Sequence, residues 1–479
     1  MNIISEYFSF PINFQQSTAF NIFFKCIKSE QSCAYILKGY AGTGKTTLIS
    51  GFVKYLQKYK INFSLLASTG RASKVLSQIT QKYSETIHSH LYVFDELSED
   101  LETISKLEDD FLIDDNGQIR LKFGFKQETN NTKHIYIVDE SSMISDVAEQ
   151  LNSSFADFGS GCLLTDLINH NKNGIYIFVG DNCQLPPITQ NLSPALDANY
   201  LKNKFNIHVY EYEMTEIVRQ AKSNGIVTAS INLRNLYKLN PLVKFASLPL
   251  KNLNNINILS THEELIDRYV EQVKFNNFDD AIMICHSNKQ CNQLNRLIRS
   301  KLYNEEKRVI SGDLLIVTQN NLLTGYVNGE QLIVTNVGYR EYRCGLTFLN
   351  IEIKKINSDI KHSVFIIEDL LYSNMNNLSS LEHKKLFIDF FRRMKELFKG
   401  KYSHYKLDMR TDPYLNALRV KFGFAVTCHK SQGGEWKRVF LYMEKSIHCL
   451  GKPAIYQWWY TAITRAKEKL YVVNDWFIK

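Results

Sequence analysis

Residues 34–46 read AYILKGYAGTGKT, an apolar run that leads directly into the pattern G-x-x-x-x-G-K-T. The run predicts a buried strand, and the residues that follow Lys45 (TTLISGFVKYLQKY) have the apolar spacing of a helix. A glycine-rich loop between strand and helix lets backbone N–H groups approach phosphates, and the helix N-terminus adds its positive dipole end. The stretch therefore predicts a nucleoside triphosphate site, in which Lys45 reaches the β and γ phosphates and the Thr46 hydroxyl binds Mg²⁺.

Further apolar runs rich in β-branched and aromatic residues recur along the chain, and each ends in a polar loop. They are FSLLAS (63–68), HIYIVDE (134–140), IYIFVGD (175–181), AIMICHS (281–287) and VFLYME (439–444). Near-continuous apolar runs are typical of strands buried on both faces of a parallel sheet, and helical patterns lie between them. The alternation predicts an α/β fold, in which ligands bind beyond the carboxyl ends of the strands.

An acidic pair, Asp139-Glu140, ends the run HIYIV. A carboxylate at this position can hold Mg²⁺, and its neighbour can orient the attacking water. Alternatively, the pair could cap a helix that begins near Ser141 or Ser142. The phosphate-loop pattern favours the first interpretation. Phosphoryl transfer also needs cations that stabilise the developing charge, and the candidates are Arg219 in MTEIVRQ and Arg465 in YTAITRAK.

Composition describes a folded protein with a modest basic excess. The 57 basic and 49 acidic residues give a formal charge of +8, and residues 95–115 alone hold ten acids and one base. The remainder therefore carries about +17, which favours binding of a polyanion at another face. Nine scattered cysteines form no C-x-x-C pair, and neither a signal-like start nor a run of 18 apolar residues is present. We expect reduced thiols, a cytoplasmic location and no membrane association.

The polar segments at the strand ends form an ordered series that runs from about Gln16 to Arg465 and resembles the superfamily 1 helicases. The resemblance is narrower to the RecD-like/Dda-like branch, superfamily 1B. Its segments are QSTAFN (the adenine-reading segment), GYAGTGKTT (motif I), ASTGRASK (Ia), TIHSHL (a DNA-facing segment), IVDESSM (II), VGDNCQLPPI (III), MTEIVRQ (IV), CHSNKQCNQLN (a DNA-facing segment of the second lobe), VTCHKSQGGEW (V) and WYTAITRAKEKLYVV (VI).

This resemblance implies two RecA-like P-loop domains with parallel sheets and ATP between them. The first domain would span residues 1–205 and carry motifs I to III, with a β-hairpin insertion at about 88–133. The second would span 206–479 and carry motifs IV to VI, with a small Src-homology-like β-barrel insertion at about 310–420. Both Arg219 and Arg465 would then come from the second domain as arginine fingers.

The resemblance also assigns site residues, position by position. The catalytic residues would be Lys45, Glu140, Gln184, Arg219 and Arg465. The nucleotide-binding residues would be Gln16, Gly39, Gly42, Thr43, Gly44, Lys45, Thr46, Thr47, Gly434 and Glu435, with Thr46 and Asp139 holding Mg²⁺. The contacts to DNA would be Thr69, Arg71, Thr86, His88, Asn288, Lys289, Thr427, His429 and Lys430.

The two insertions leave alternatives open. Asn116-Gly117 predicts a tight hairpin turn, and the aromatics Phe111, Phe123 and Phe125 either wedge between bases or simply pack the hairpin. The acidic segment 95–115 either repels a displaced strand or forms a solvated face, and we favour the latter. Residues 386–401 have helical spacing, with basic residues mostly opposite the apolar face. That basic face either contacts DNA or is solvated, and the solvated case is commoner.

Together these features predict an ATP-driven DNA helicase that acts on single-stranded DNA and on junctions with duplex. The family implies 5′→3′ movement and a monomer, with a nuclease, replication or repair protein as a potential partner. Two other functions remain open: a motor subunit of a nuclease, repair or defence complex, and a DNA-stimulated ATPase that clamps DNA without unwinding it. A hairpin that splits the duplex would distinguish unwinding from clamping.

Overall fold

The structure is a computed structural model, and it describes residues 3–9, 11–97, 121–126, 133–148, 156–188, 190–218, 224–275, 277–304, 306–321, 324–375, 377–398, 409 and 411–479. The strands in these residues are β1 (Cys33–Gly39), β2 (Phe63–Ala67), β3 (Glu85–Thr86), β4 (Tyr92–Leu97), β5 (Leu121–Phe125), β6 (Ile135–Asp139), β7 (Ala156–Phe158), β8 (Ile175–Gly180), β9 (His208–Met214), β10 (Ile256–Leu259), β11 (Ala281–Cys285), β12 (Leu314–Val317), β13 (Gln331–Arg343), β14 (Leu346–Lys355), β15 (Lys361–Ile367), β16 (Val420–Phe422), β17 (Ala425–Thr427), β18 (Trp436–Leu441) and β19 (Ala466–Val473).

The helices of the same residues alternate with these strands. They are α1 (Phe14–Ile27), α2 (Lys45–Lys58), α3 (Gly70–Thr80), α4 (Ile87–Leu91), α5 (Leu163–His170), α6 (Ala198–Phe205), α7 (Gly225–Leu239), α8 (His262–Val273), α9 (Asn288–Tyr303), α10 (Glu368–Tyr372), α11 (Ser380–Phe398), α12 (Cys428–Ser431) and α13 (Ala454–Ile463). Short 3-10 helices occupy Ile3–Tyr7, Ser141–Met143, Pro194–Leu196 and Lys445–Leu450. Among the helices described, none combines the length and the apolar character that a membrane crossing would need.

The first lobe is built on a six-stranded parallel sheet in the order β3-β2-β6-β8-β1-β9. Its central strands β1, β6 and β8 are almost entirely buried, which confirms the prediction from their unbroken apolar runs. Because all six strands run in the same direction, the segments that follow them lie along one edge of the sheet. The phosphate loop, the acidic pair and motif III therefore come together.

The second lobe has its own parallel sheet of five strands, in the order β10-β19-β18-β11-β17. The predicted run AIMICHS (281–287) contains β11, and the run VFLYME (439–444) begins with the second half of β18, since that strand already starts at Trp436 and ends at Leu441. Helix α13 precedes β19 and is buried along its whole length, since every residue from Ile455 to Ile463 lies in the core. The expected α/β architecture with two parallel sheets is confirmed.

The boundary between the two lobes differs from the expected one at residue 205. Strand β9 pairs in parallel with β1, from Cys33 opposite His208 to Gly39 opposite Met214. The first sheet therefore extends to Met214, and the N–H of Val218 donates a hydrogen bond to the carbonyl of Gly42 at 3.0 Å. The boundary at 205 is wrong because β9 supplies an edge strand whose pairing partner lies about 175 residues away, a separation that local sequence patterns do not report.

The first insertion is described only at its base. Strands β4 and β5 pair antiparallel, and β5 pairs with β7, which forms a three-stranded sheet beside the first lobe. Phe125 lies at the end of β5, is exposed, and contacts the ring of Tyr92 with centroids 5.6 Å apart. Asn116-Gly117, Phe111 and most of the acidic segment 95–115 lie outside the described residues. The hairpin turn and its wedge stay predictions.

The second insertion contains a five-stranded antiparallel sheet in the order β15-β14-β13-β12-β16. Leu418, just before β16, connects the two ends of this sheet. Its N–H donates to the Phe365 carbonyl at 2.7 Å, and its carbonyl accepts from the N–H of Ile367 at 3.2 Å. Helix α11 contains residues 386–398 of the predicted helical stretch 386–401, whose last three residues lie outside the described residues, and it buries Phe387, Phe390 and Met394. The DNA contact of its basic face stays a prediction.

A buried ion pair fastens this insertion to the second lobe. The guanidinium of Arg299 on α9 binds both carboxylate oxygens of Asp313, at 2.7 and 2.9 Å, and both side chains are buried. Removal of one partner from such a pair leaves an uncompensated buried charge.

We expect Arg299→Ala to lower the free energy of unfolding by about 3–5 kcal/mol because Asp313 would remain buried and charged. Urea denaturation measures the change. The matched control is Lys301→Ala, two residues along the same helix, whose ion pair with Asp267 is exposed to solvent and should contribute less than about 1 kcal/mol. Equal effects of the two substitutions would contradict a structural role for the buried pair.

Candidate functional site

The phosphate loop has the conformation that its glycines permit. Gly42 and Gly44 have φ values of 82° and 86°, in the left-handed region that favours glycine. The Lys45 ammonium donates to the carbonyls of Gly39 and Tyr40, at 2.7 and 3.1 Å. Thr46 and Thr47 follow in the first turn of α2, and buried Thr43 donates to the Tyr40 carbonyl at 2.8 Å. The loop therefore has its phosphate-binding conformation, and the Lys45 side chain is hydrogen-bonded to the backbone of the loop itself.

Gln16, the expected adenine reader, lies beside this loop. Its side-chain oxygen accepts the N–H of Asn13 at 3.1 Å, and its own N–H donates to the Asn13 side chain at 2.8 Å. This reciprocal pair caps the start of α1. A Cβ atom on Gly44 would lie 2.7 Å from Gln16 Nε2, so the amide packs directly on the loop. Contact with adenine stays a prediction.

The acidic pair stands at the end of β6. Asp139 is buried, and its Oδ1 accepts the N–H of Glu140 at 2.9 Å. Burial, followed by the neighbouring Glu140 charge, raises the pKa of Asp139 to about 7. Glu140 precedes the 3-10 helix Ser141–Met143, but its side chain makes no capping hydrogen bond there. The alternative interpretation as a capping pair therefore finds no support at Glu140.

Motif III contributes a residue that the sequence interpretation missed. Asp181 follows β8, is 1% exposed, and receives the Tyr460 hydroxyl at 2.7 Å. Burial raises the pKa of Asp181, whereas Lys45 and Arg465 both act to lower it. The carboxylate therefore lies within electrostatic reach of the phosphate-loop lysine and of the expected arginine finger. Its position directly after an apolar run is the same signal that identified Asp139, and it could have found Asp181.

Arg465 follows α13 and is 4% exposed. Its guanidinium donates to the carbonyl of Thr461 at 3.0 Å and to the carbonyl of Gly434 at 3.2 Å. Within the described residues no carboxylate pairs with this guanidinium. Gly434 thus contacts the finger through its backbone, while the Glu435 carboxylate pairs with Lys467 at 3.3 Å.

Several hydrogen bonds join motif III of the first lobe to motifs V and VI of the second. The N–H of Leu185 donates to the Thr461 hydroxyl at 2.9 Å. The Gln457 amide donates to the carbonyl of Gln184 at 3.2 Å, and the Gln432 amide donates to the carbonyl of Leu185 at 3.2 Å. These bonds are buried, so the two lobes meet through a polar seam and not only through apolar packing.

Two glutamine oxygens at this seam are buried without a hydrogen-bond partner among the described residues. They are Oε1 of Gln184 and Oε1 of Gln432. Buried polar atoms are normally paired, and unpaired ones commonly indicate a ligand or an ordered water. Gln184 was expected to sense the γ-phosphate, for which its side-chain NH2 group is the donor; the unpaired Oε1 can only accept a hydrogen bond and does not itself favour an anion. Gln432 was not singled out from the sequence.

Arg219 lies outside the described residues, and its role stays a prediction. Its neighbour Val218 contacts Gly42 of the phosphate loop, as described above. The segment before it is also fixed to α1, because the N–H groups of Thr215 and Glu216 both donate to Gln15 Oε1 at 2.9 Å. This part of motif IV therefore packs on the first lobe, which corrects its expected placement in the second.

The expected DNA contacts of the first lobe follow β2 and β3. Thr69 and Thr86 cap α3 and α4, with side-chain oxygens that accept the N–H groups of Ala72 and Ser89. His88 packs edge-to-face on Phe158, and burial lowers the pKa of its imidazole. The structure thus gives each of these three residues a local structural contact at the carboxyl edge of the sheet.

Arg71 is placed differently from its neighbours. Its guanidinium donates to Gln331 Oε1 at 3.0 Å and lies over the Trp436 ring, 4.9 Å from its centroid. Desolvation lowers the pKa of Arg71 to about 10. The side chain therefore joins the first lobe to the second insertion and to motif V, a contact between distant segments that the sequence could not show.

The expected DNA contacts of the second lobe follow the neighbouring strands β11 and β17. Asn288 and Lys289 are exposed in the first turn of α9. Thr427 precedes α12, which holds His429 and Lys430. Cys285 lies opposite Thr427 in the paired strands, so the two groups of residues are adjacent. Burial lowers the pKa of both His429 and Lys430.

Two models of known protein families match parts of this chain. Residues 13–238 match the family model described as an AAA domain, and residues 422–473 match the UvrD-like helicase C-terminal domain. The two matches contain the phosphate loop and Arg465, the two sides of the seam.

Similar proteins include the ATP-dependent DNA helicase dda of Enterobacteria phage T4, 25% identical, with 96% of this chain and 98% of that protein covered. The ATP-dependent DNA helicase Pif1 of Campylobacter jejuni is 23% identical, with 85% and 83% covered. A crystal structure of Pif1 helicase from Bacteroides with ADP-AlF3 and ssDNA covers 98% of this chain and 94% of that chain, at 15% identity and a TM-score of 0.48. The ordered motifs, the two family models and the relatives that match along nearly the whole chain make this chain similar to the helicases of superfamily 1B.

Proposed function

We propose that this protein is an ATP-dependent DNA helicase that moves 5′→3′ on single-stranded DNA and unwinds duplex. The observation that carries the proposal is the seam. Lys45 and the carboxylates Asp139 and Asp181 stand on one side. Arg465 lies on the other, just after α13, and the Tyr460 and Thr461 hydroxyls of that helix hydrogen-bond to the loop after β8. A triphosphate bound on the phosphate loop would lie between cations of both lobes.

Several residues of this chain would have separate roles in ATP hydrolysis. Lys45 and Arg465 would stabilise the charge that develops on the transferred phosphoryl group, and Glu140 would orient the attacking water. Gln184 would contact the γ-phosphate through the NH2 group of its side chain, which can donate to a phosphate oxygen. Hydrolysis would therefore require both lobes, because neither holds the complete set.

The residues expected at the metal site suit Mg²⁺. The Thr46 hydroxyl and the Asp139 carboxylate are oxygen donors, which this cation prefers. Burial beside Glu140 disfavours the ionised form of Asp139, as its raised pKa indicates, and a bound cation would stabilise that form. When bound, the metal would neutralise charge on the β and γ phosphates.

Movement along DNA would follow from lobe closure. The expected backbone contacts form one group at the carboxyl edge of each sheet, after β2 and β3 in the first lobe and after β11 and β17 in the second. Relative motion of the lobes changes the distance between these groups. If each grips DNA in turn, a cycle of ATP binding and release becomes stepwise translocation. The 5′→3′ direction rests on the family resemblance.

Substitution of the finger tests the seam. We expect Arg465→Ala to retain ATP binding but to lower kcat about 10³-fold or more because a cation that stabilises the transition state is lost. Steady-state ATPase assays with single-stranded DNA, together with binding of a fluorescent ATP analogue, measure both properties. Arg438→Ala is the matched control, since Arg438 lies on the same sheet but is partly exposed near Asp280. Normal turnover by Arg465→Ala would remove the finger assignment.

Strand displacement tests the activity and its direction. Duplexes that carry only a 5′ or only a 3′ single-stranded tail are incubated with ATP and Mg²⁺, and release of the labelled strand is followed. We expect unwinding of the 5′-tailed duplex, and Lys45→Ala should abolish it. Preference for the 3′ tail would contradict the direction. DNA-stimulated ATP hydrolysis without strand release from either substrate would indicate a clamp instead of a helicase.

A further inference from the structure

One hydroxyl group of the second lobe contacts two separate loops of the first. Tyr460 on α13 is 1% exposed, and its hydroxyl donates to Asp181 Oδ2 at 2.7 Å. The same oxygen accepts the N–H of Ala41, in the phosphate loop, at 3.0 Å. A single atom thus ties the phosphate loop and the loop after β8 to the helix that leads to Arg465.

Asp181 has a well-defined place on the first lobe. Its Oδ1 accepts the N–H of Cys183 at 3.0 Å, which fixes the turn that leads to Gln184. Because this bond fixes the carboxylate, its Oδ2 is oriented towards Tyr460 of the second lobe. A displacement of this carboxylate would be transmitted to the turn that carries the expected γ-phosphate sensor.

Tyr460 is coupled to the finger within one turn of helix. The Arg465 guanidinium donates to the carbonyl of Thr461, the residue after Tyr460, and Thr464 donates its N–H to the Tyr460 carbonyl at 3.1 Å. The Thr461 hydroxyl in turn accepts the N–H of Leu185. The position of the guanidinium and the position of the hydroxyl are therefore set by the same short piece of backbone.

We propose that Tyr460 is a positioning residue for ATP hydrolysis, whose hydroxyl holds the phosphate loop and the Asp181 turn in register with Arg465 when the lobes close. The inference rests on the proposed function and adds to it a residue outside the expected motif roles. Tyr460 acts through its two partners and does not itself contact the phosphates.

The hydroxyl matters chiefly in the closed cleft. Once it is removed, Asp181 Oδ2 and the Ala41 N–H stay buried in the closed state without their partner, whereas water can reach both when the lobes separate. Loss of the hydroxyl therefore disfavours closure. Initial binding of ATP to the phosphate loop is expected to change little, so the effect falls on kcat and not on KM.

The test compares Tyr460→Phe with Tyr456→Phe. Tyr456 lies one turn earlier on the same helix and is equally buried, and its hydroxyl makes no hydrogen bond within the described part of the chain. For DNA-stimulated ATP hydrolysis we expect Tyr460→Phe to lower kcat about 10-fold with KM for ATP within about 2-fold of wild type. Tyr456→Phe should match wild type. Unchanged kcat in Tyr460→Phe, or equal loss in both variants, would overturn the proposal.

A double-mutant cycle with Asp181→Asn separates this role from general destabilisation. If the hydroxyl acts through Asp181, Tyr460→Phe should have a clearly smaller effect on kcat in the Asp181→Asn background than in wild type. The same 10-fold loss in both backgrounds would show independent action and contradict the coupling.

Hydrogen–deuterium exchange gives a readout that does not depend on turnover. The Ala41 amide donates to the Tyr460 hydroxyl, so a peptide that spans Ala41 should exchange faster in Tyr460→Phe and not in Tyr456→Phe. Unchanged exchange would contradict the contact itself. A wild-type protein that shows this contact but no DNA-stimulated ATP hydrolysis would instead contradict the proposed function.

Discussion

Buried hydrogen bonds between the loops of one parallel sheet and the helix α13 of the other hold the two lobes in a single catalytic arrangement. The Tyr460 hydroxyl, the Thr461 hydroxyl and the Gln457 amide all reach from α13 to the first lobe. Each such bond contributes modestly when made but costs far more when one buried partner is left alone. A partial separation that left these buried groups without partners or water would therefore be disfavoured. A nucleotide bound across such a seam would act as a switch if it favoured one position of the lobes over another.

The rest of the fold positions the residues on the two sides of this seam. Parallel pairing brings the phosphate loop, the acidic pair and motif III to one edge of the first sheet, while β19 and α13 carry Arg465 in the second lobe. The second insertion is fastened to the second lobe by the Arg299–Asp313 pair. It also reaches the first lobe, through Arg71 and Gln331. Because Arg71 lies over Trp436 beside Gly434, whose carbonyl receives Arg465, packed contacts run without a break from Arg465 to the antiparallel sheet of the insertion.

Local sequence patterns identified what depends on neighbouring residues. The phosphate loop, the buried strands and Asp139 each have a short signature, and the structure contains all of them. The β9 edge strand, the Arg71 contact and the Tyr460–Asp181 bond were missed because they join residues about 175 to 280 positions apart. Such contacts arise from tertiary packing, and no periodicity or motif spacing encodes them. Asp181 is the exception, because it follows an apolar run directly, and the same position identified Asp139.

A triphosphate bound to the phosphate loop would be enclosed by cations of both lobes. A crystal structure with Mg²⁺, single-stranded DNA and a transition-state analogue of ATP measures this directly. We expect a guanidinium nitrogen of Arg465 to lie within hydrogen-bonding distance of the γ-phosphate mimic, while Lys45 leaves its loop carbonyls to contact the same group. An analogue bound with Arg465 turned away to solvent, or bound outside the seam, would contradict it.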